Sequence, residues 1–171
     1  MPRDELKKIE ISKLGDEVLL KLRAEVEREA TRRGLLLTVG DIGEKLAVDL
    51  FKARPDLPVL IAAPRGTKNV DALSRDGERY SIKTLYRAKK TGTIYPDPAE
   101  RERQLFEHLL VVLLSEDLQL ARVVMLSWTQ FCMVRSWDSR MNAWYVARSR
   151  RALDIGRQVF PIHDHNRDNM T

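Results

Sequence analysis

The sequence predicts an α/β fold with a central mixed β-sheet flanked by helices, and three observations carry that expectation. Two segments near the N-terminus repeat apolar residues at helical spacing. After Pro55 the pattern changes to short alternating runs around turn residues. Two nearly continuous apolar runs, FEHLLVVLLS and LQLARVVMLSW, then follow, of the kind that fill the middle of a sheet.

Taken in order, the first helix is expected from Asp16 to Arg33. Leu19, Leu22, Val26 and Ala30 recur along one face, and Gly34 is placed to stop the helix. The second starts with Thr38 or Asp41 as its cap and ends at or before Arg54, because Pro55 disfavours helical backbone in the residue before it. LPVLIAAP, DALS and RYSIKTLYR read as three antiparallel strands, the last two joined by the turn Arg75-Asp76-Gly77-Glu78. Residues 88–104 are polar and broken by Gly92, Pro96 and Pro98, predicting a mobile loop with at most one helical turn after Pro98. The two apolar runs form a hairpin around Glu116-Asp117, TQFCMVRSW a short helix and NAWYVARS a further strand. The tail HDHNRDNMT is too polar to pack.

At 171 residues, 43% of them hydrophobic, the chain is expected to be one domain with an N-terminal helical segment (1–34), a core (38–161) and a frayed tail (162–171). No run has the apolar length of a membrane span, and MPRDELKKIE lacks the hydrophobic stretch of a secretory signal, so a cytoplasmic protein with no membrane partner is expected. The single cysteine, Cys132, excludes an internal disulfide and a thiolate zinc site, and reads as a small core residue. A net charge of +5 is compatible with a polyanionic partner.

On a helical wheel, Ile42, Leu46, Ala47, Val48, Leu50 and Phe51 share one arc, whereas Lys45, Asp49 and Lys52 lie opposite. Glu44 falls inside the apolar arc, where a carboxylate needs a partner. Along the third strand, Tyr80, Ile82 and Thr84 point to one face, and Ser81, Lys83 and Leu85 to the other. The turn folds Asp71 back towards Ser81 and Lys83, so two carboxylates and a lysine are expected to converge. Such a cluster suits phosphodiester hydrolysis: carboxylates and a carbonyl hold a hard divalent cation, and an ammonium orients water or steadies negative charge. A plain ion pair between Asp71 and Lys83, and a Glu44 paired with an arginine, are the alternatives.

Asp71, nine intervening residues, Ser81-Ile82-Lys83 and the preceding helix GEKLAVDLF together resemble the PD-(D/E)XK nuclease superfamily of restriction, repair and junction-resolving enzymes. The resemblance covers roughly residues 38–130 as an order of elements. It implies a restriction-endonuclease-like core and a metal-dependent endonuclease acting on DNA with Mg²⁺ or Mn²⁺. Asp71 and Glu44 would bind metal together with the backbone carbonyl of Ile82, and Lys83 would be the catalytic lysine. Ser81 stands where the superfamily has its second acidic ligand. Some members with Ser-x-Lys recover that carboxylate later in the chain, which points to Asp97, Glu100, Glu102 or Glu107, with Glu100 preferred. Asp97-Pro98-Ala99-Glu100 is also a helix-capping pattern, with Asp97 as cap and Glu100 reaching back, and that role comes first for this segment.

Arg65, Thr67, Lys68 and Asn69 before Asp71, and Arg87, Lys89 and Lys90 after Lys83, are candidate phosphate contacts or solvated loop residues. Arg148, Arg150 and Arg151 form a second basic group. Trp128, Trp137, Trp144 and Tyr145 read as core anchors, His108 as a locally satisfied histidine, and His163-Asp164-His165 as part of the polar tail. Duplex cleavage and the apolar face of residues 16–33 are both compatible with a homodimer. The second functional reading is an inactive nuclease-fold module that binds nucleic acid or assembles with partners, as Ser81 would permit.

Overall fold

Helix α1 spans Asp16–Arg32, with Asp16 and Glu17 in its first turn and Arg32 in its last, the charge order that the helix dipole favours. Gly34 takes a positive φ of 67°, its N–H reaches the Thr31 carbonyl, and the Leu35 N–H reaches the Ala30 carbonyl. This pair of reversed hydrogen bonds ends the helix where the sequence places the glycine. The computed structural model describes residues 10–64 and 66–161. It divides the chain into two units, Met1–Thr38, which holds α1, and Val39–Thr171. Arg65, the N-terminal residues 1–9 and the tail from residue 162, with His163-Asp164-His165, lie outside the described residues.

In the second unit, α2 (Val39–Ala53) begins directly after Thr38. It is followed by β1 (Leu60–Ala62), β2 (Ala72–Ser74) and β3 (Arg79–Leu85), an antiparallel meander. Gly77, at φ 84°, supplies the left-handed residue of the β2–β3 turn, and Ser74 closes it by accepting the Glu78 N–H on its hydroxyl. Next come β4 (His108–Leu114), β5 (Leu120–Ser127), α3 (Trp128–Val134), β6 (Arg135–Asp138), β7 (Ala143–Val146), α4 (Arg150–Asp154) and β8 (Arg157–Phe160). The main sheet is mixed, six strands in the order β1-β2-β3-β4-β5-β8, and only β3 and β4 run parallel; β6 and β7 form a separate hairpin.

The two faces of the sheet carry separate cores. Ala47, Val48 and Phe51 of α2 pack on Tyr80, Ile82, Leu110 and Val112. On the opposite face, Leu85, Leu109, Val111, Val124 and Leu126 pack with Phe106, Phe131 and Val146. The predicted alternation along β3 therefore holds: Tyr80 and Ile82 face α2, and Leu85 faces away. With both faces covered, β4 is buried from Leu109 to Leu114, which explains its unbroken apolar run. Cys132 packs against the second core, half-buried.

Three local expectations change. Residues 88–104 form no helical turn after Pro98. Instead this crossover between the parallel strands is anchored to β7 by bridges at Lys90–Ala147 and Ile94–Trp144, with Ile94 fully buried. Short β6, α4 and β8 were not anticipated, because four- and five-residue elements hold too few residues to display a period. No helix among the described residues is long and apolar enough to cross a membrane.

Candidate active site where two strands part

Strands β2 and β3 are paired only as far as Ala72–Tyr80 and then diverge. The Asp71 N–H still donates to the Tyr80 carbonyl at 2.8 Å, but the next donor on that edge, the Ile82 N–H, has lost its strand partner. The Asp71 side chain supplies one: its Oδ2 accepts the Ile82 N–H at 2.6 Å. The Ser81 hydroxyl donates to the same oxygen at 3.2 Å, and Lys83 Nζ stands 3.8 Å from it. All three of these donors gather on Oδ2. Because N–H and C=O of one strand residue point to the same edge, the Ile82 carbonyl also faces the parting.

Glu44, on α2, lies within electrostatic range of this cluster. The helix can approach β3 so closely because residue 43 is glycine: a Cβ there would lie 1.9 Å from Thr84 Oγ1 and 2.8 Å from Thr84 Cβ. One residue later, Glu44 is half-buried. Burial, then the negative charge of Asp71, then that of Asp41, push its carboxyl above the usual carboxylate range, while the Lys83 ammonium pulls the other way. The predicted Glu44, Asp71 and Lys83 are thus electrostatic neighbours. Asp71 and Lys83 are both about four-fifths buried, which removes most of the screening that an exposed pair would have.

Ser81 is fully buried beside Asp71 and acts as a donor to it. The later acids are otherwise engaged. Glu107 chelates Arg79 through both carboxylate oxygens, and this pairing holds its carboxyl down to about 2. Glu102 pairs with Arg135. Asp97 accepts the N–H groups of Ala99 and Glu100, the predicted capping bonds, although no helix follows. Glu100 is exposed in that turn, and the charges acting on Glu44 are those of Asp71, Asp41 and Lys83. Among the described residues no three His, Cys, Asp or Glu side chains are placed to hold a metal ion. The oxygen donors at the parting are the Asp71 carboxylate and the Ile82 carbonyl, with the Glu44 carboxyl in electrostatic range.

The basic candidates divide. Thr67 closes a turn on the Pro64 carbonyl, and Asn69, at φ 59°, donates its side-chain amide to the Tyr95 carbonyl. Lys68 and Asn69 line a polar cleft of about 250 Å³ with Arg79, Asp97, Arg103 and Gln104. Lys89 is exposed, as are Arg148, Arg150 and Arg151. Arg87 stacks on Tyr86 and stands 3.5 Å from Glu116, and Lys90 pairs with Asp138 at 2.8 Å over the Tyr145 ring. His108 lies 3.4 Å from Glu78 and stacks on Tyr80, but its Nδ1 is buried without a partner. Trp128 and Trp144 both pack against the second core, and Trp137 and Trp144 also stack with Arg101, Trp144 with Arg135 as well.

Sequence reading missed Gly43 and Thr84, the contact that sets the depth of Glu44. The available signal was a glycine inside the apolar arc, four residues before Ala47, where helix propensity alone would disfavour it. No protein-family model matches the chain, and no curated protein matches it either.

Proposed function

We propose that the chain is a metal-dependent endonuclease that hydrolyses DNA phosphodiester bonds on a restriction-endonuclease-like core. The observation that carries this reading is the approach of Lys83 to Asp71 where β2 leaves β3, with the half-buried Glu44 of α2 in electrostatic range of both. The element order supports it: a helix bearing the glutamate, an antiparallel meander bearing the aspartate and lysine, then β4 parallel to β3.

A divalent cation suits this donor set, because Asp71 acts on Glu44 as a like charge that Lys83 only partly offsets and the Ile82 carbonyl adds a neutral oxygen beside Asp71. When bound, Mg²⁺ or Mn²⁺ would acidify a water and offset phosphate charge. The chain's own residues do the rest. The Ile82 N–H and Ser81 hydroxyl fix the Asp71 carboxylate by holding Oδ2. Lys83, confined in the cluster, holds the attacking water or a non-bridging phosphate oxygen and steadies the charge that grows there. Lys68 and Lys89, which are exposed, would meet flanking phosphates.

Ser81 favours a second reading, in which the fold binds nucleic acid or a partner without cutting, because the neutral hydroxyl leaves the site one negative charge short. Plasmid and short duplexes incubated with protein and Mg²⁺ or Mn²⁺, beside Lys83→Ala and Asp71→Asn, decide between them. Cleavage by the wild type alone is expected. Equal cleavage by all three preparations would mark a contaminant, and salt-sensitive binding without cleavage would favour the second reading.

A further inference from the structure

In the second unit, β7 ends beside the crossover that leaves β3. Lys90 and Ala147 form a bridge, and the Arg148 N–H donates to the Lys89 carbonyl at 2.8 Å. Ser149 then caps α4 by accepting the Ala152 N–H on its hydroxyl, and Ala152 and Leu153 are buried. This scaffold gathers Lys89, Arg148, Arg150 and Arg151, all four of them exposed. Nearby acids are committed elsewhere: Asp138 to Lys90, Asp154 to Arg122 and Glu116 to Arg87. Among the described residues, none of the four cations has a carboxylate at ion-pair distance.

We infer that this surface holds the phosphate backbone of the DNA duplex that flanks the proposed cleavage site, an inference that rests on the nucleic-acid reading above. Four like charges on one small surface repel each other unless a polyanion offsets them. Three are arginines, whose planar forks take phosphate oxygens in pairs. No large apolar side chain of residues 86–91 or 143–157 is exposed, so the surface lacks the apolar face with which a basic segment enters an anionic membrane. Its position also suits a substrate that passes the site. Six residues separate Lys89 from Lys83, at most about 20 Å of extended chain, or roughly six base-pair steps of duplex.

Titration of a labelled duplex with the full chain, without metal and across a range of salt concentrations, tests this. Arg148→Gln with Arg150→Gln and Arg151→Gln should weaken binding at least about tenfold and flatten the slope of log Kd against log salt by about 2–3. Thermal unfolding should be unchanged, and lysine at the same three positions should keep the slope. Lys45→Gln with Lys52→Gln and Arg75→Gln removes the same charge from α2 and the β2–β3 turn, and should weaken binding less than about threefold. Equal weakening by the two neutralised variants, unchanged affinity in the arginine variant, or tighter binding to vesicles of equal parts phosphatidylcholine and phosphatidylserine than to the duplex would overturn the proposal. Mg²⁺-dependent cleavage by the same preparations is scored separately. A wild type that binds through this surface without cutting sinks the nuclease reading alone, and one that cuts while binding independently of these arginines sinks this inference alone.

Discussion

Asp71 Oδ2 accepts the Ile82 backbone N–H at 2.6 Å, so a side chain takes over a strand's hydrogen bond at the point where β2 and β3 separate. The same residue therefore serves the fold and the candidate chemistry, and substitutions can separate the two. Asp71→Ala leaves the Ile82 donor in a part-buried setting without an acceptor, at a cost of about 1–3 kcal/mol. Asp71→Asn keeps an acceptor oxygen and removes the charge. Thermal unfolding should show a clear loss for Asp71→Ala and a small one for Asp71→Asn, while both abolish Mg²⁺-dependent cleavage. Equal destabilisation by the two would mean that the charge, and not the hydrogen bond, is what the strand edge requires.

Glu44 gives the site a pH signature. Its carboxyl is raised by burial and by Asp71, so the folded state holds its proton more tightly than the unfolded state. The stability linked to that proton is fully present below about pH 4.5, the ordinary glutamate value, and is lost as pH rises through the raised one. Glu44→Gln should flatten this decline and raise the neutral-pH Tm. Added Mg²⁺ should stabilise the wild type and leave Glu44→Gln nearly unmoved. If Glu44→Gln melts lower than the wild type at pH 7, the carboxylate has a stabilising partner and the cation site loses its second acid.

The hairpin around Asp76-Gly77 and the faces of β3 were legible in the sequence because both follow from one short-range rule, alternation about a fixed turn. Asp71 and Lys83 could be placed together for the same reason. What stayed hidden depended on contacts between distant segments. The parallel β3–β4 pairing rests on a crossover held by Ile94 against Trp144, fifty residues further on, and nothing within residues 86–107 announces it. Glu44 was recognised as misplaced on its helix, but how close it came to Asp71 was decided by Gly43 meeting Thr84, a contact no periodicity displays. The acids after Asp97 looked interchangeable as chain. In space, Glu107 and Glu102 are committed to Arg79 and Arg135.

Lys83 differs from the carboxylates in having little structural duty, since its 3.8 Å approach to Asp71 is longer than a hydrogen bond. Lys83→Met, which keeps most of the stem, should leave unfolding stability within about 1 kcal/mol of the wild type. It should lower cleavage by roughly 10²–10⁴-fold, the range of a group that acts only in the transition state. DNA binding measured without metal should be almost unchanged. A parallel loss of binding and cleavage would make Lys83 a phosphate anchor instead.

Gly43 and Thr84 test whether helix position controls the site. In Gly43→Ala the new methyl would overlap Thr84, so α2 must shift or Thr84 must turn, at a cost of about 1–3 kcal/mol. Thr84→Ala removes the two atoms nearest that methyl and also a buried hydroxyl that has no hydrogen-bond partner among the described residues. The double variant should therefore be more stable than Gly43→Ala alone, a coupling measurable by a double-mutant cycle in denaturant. Displacing α2 carries Glu44 with it, so Gly43→Ala should weaken Mg²⁺-dependent cleavage more than its stability loss explains, and Thr84→Ala should restore part of it. Additive effects on both stability and cleavage would show that α2 does not set the distance between Glu44 and Asp71.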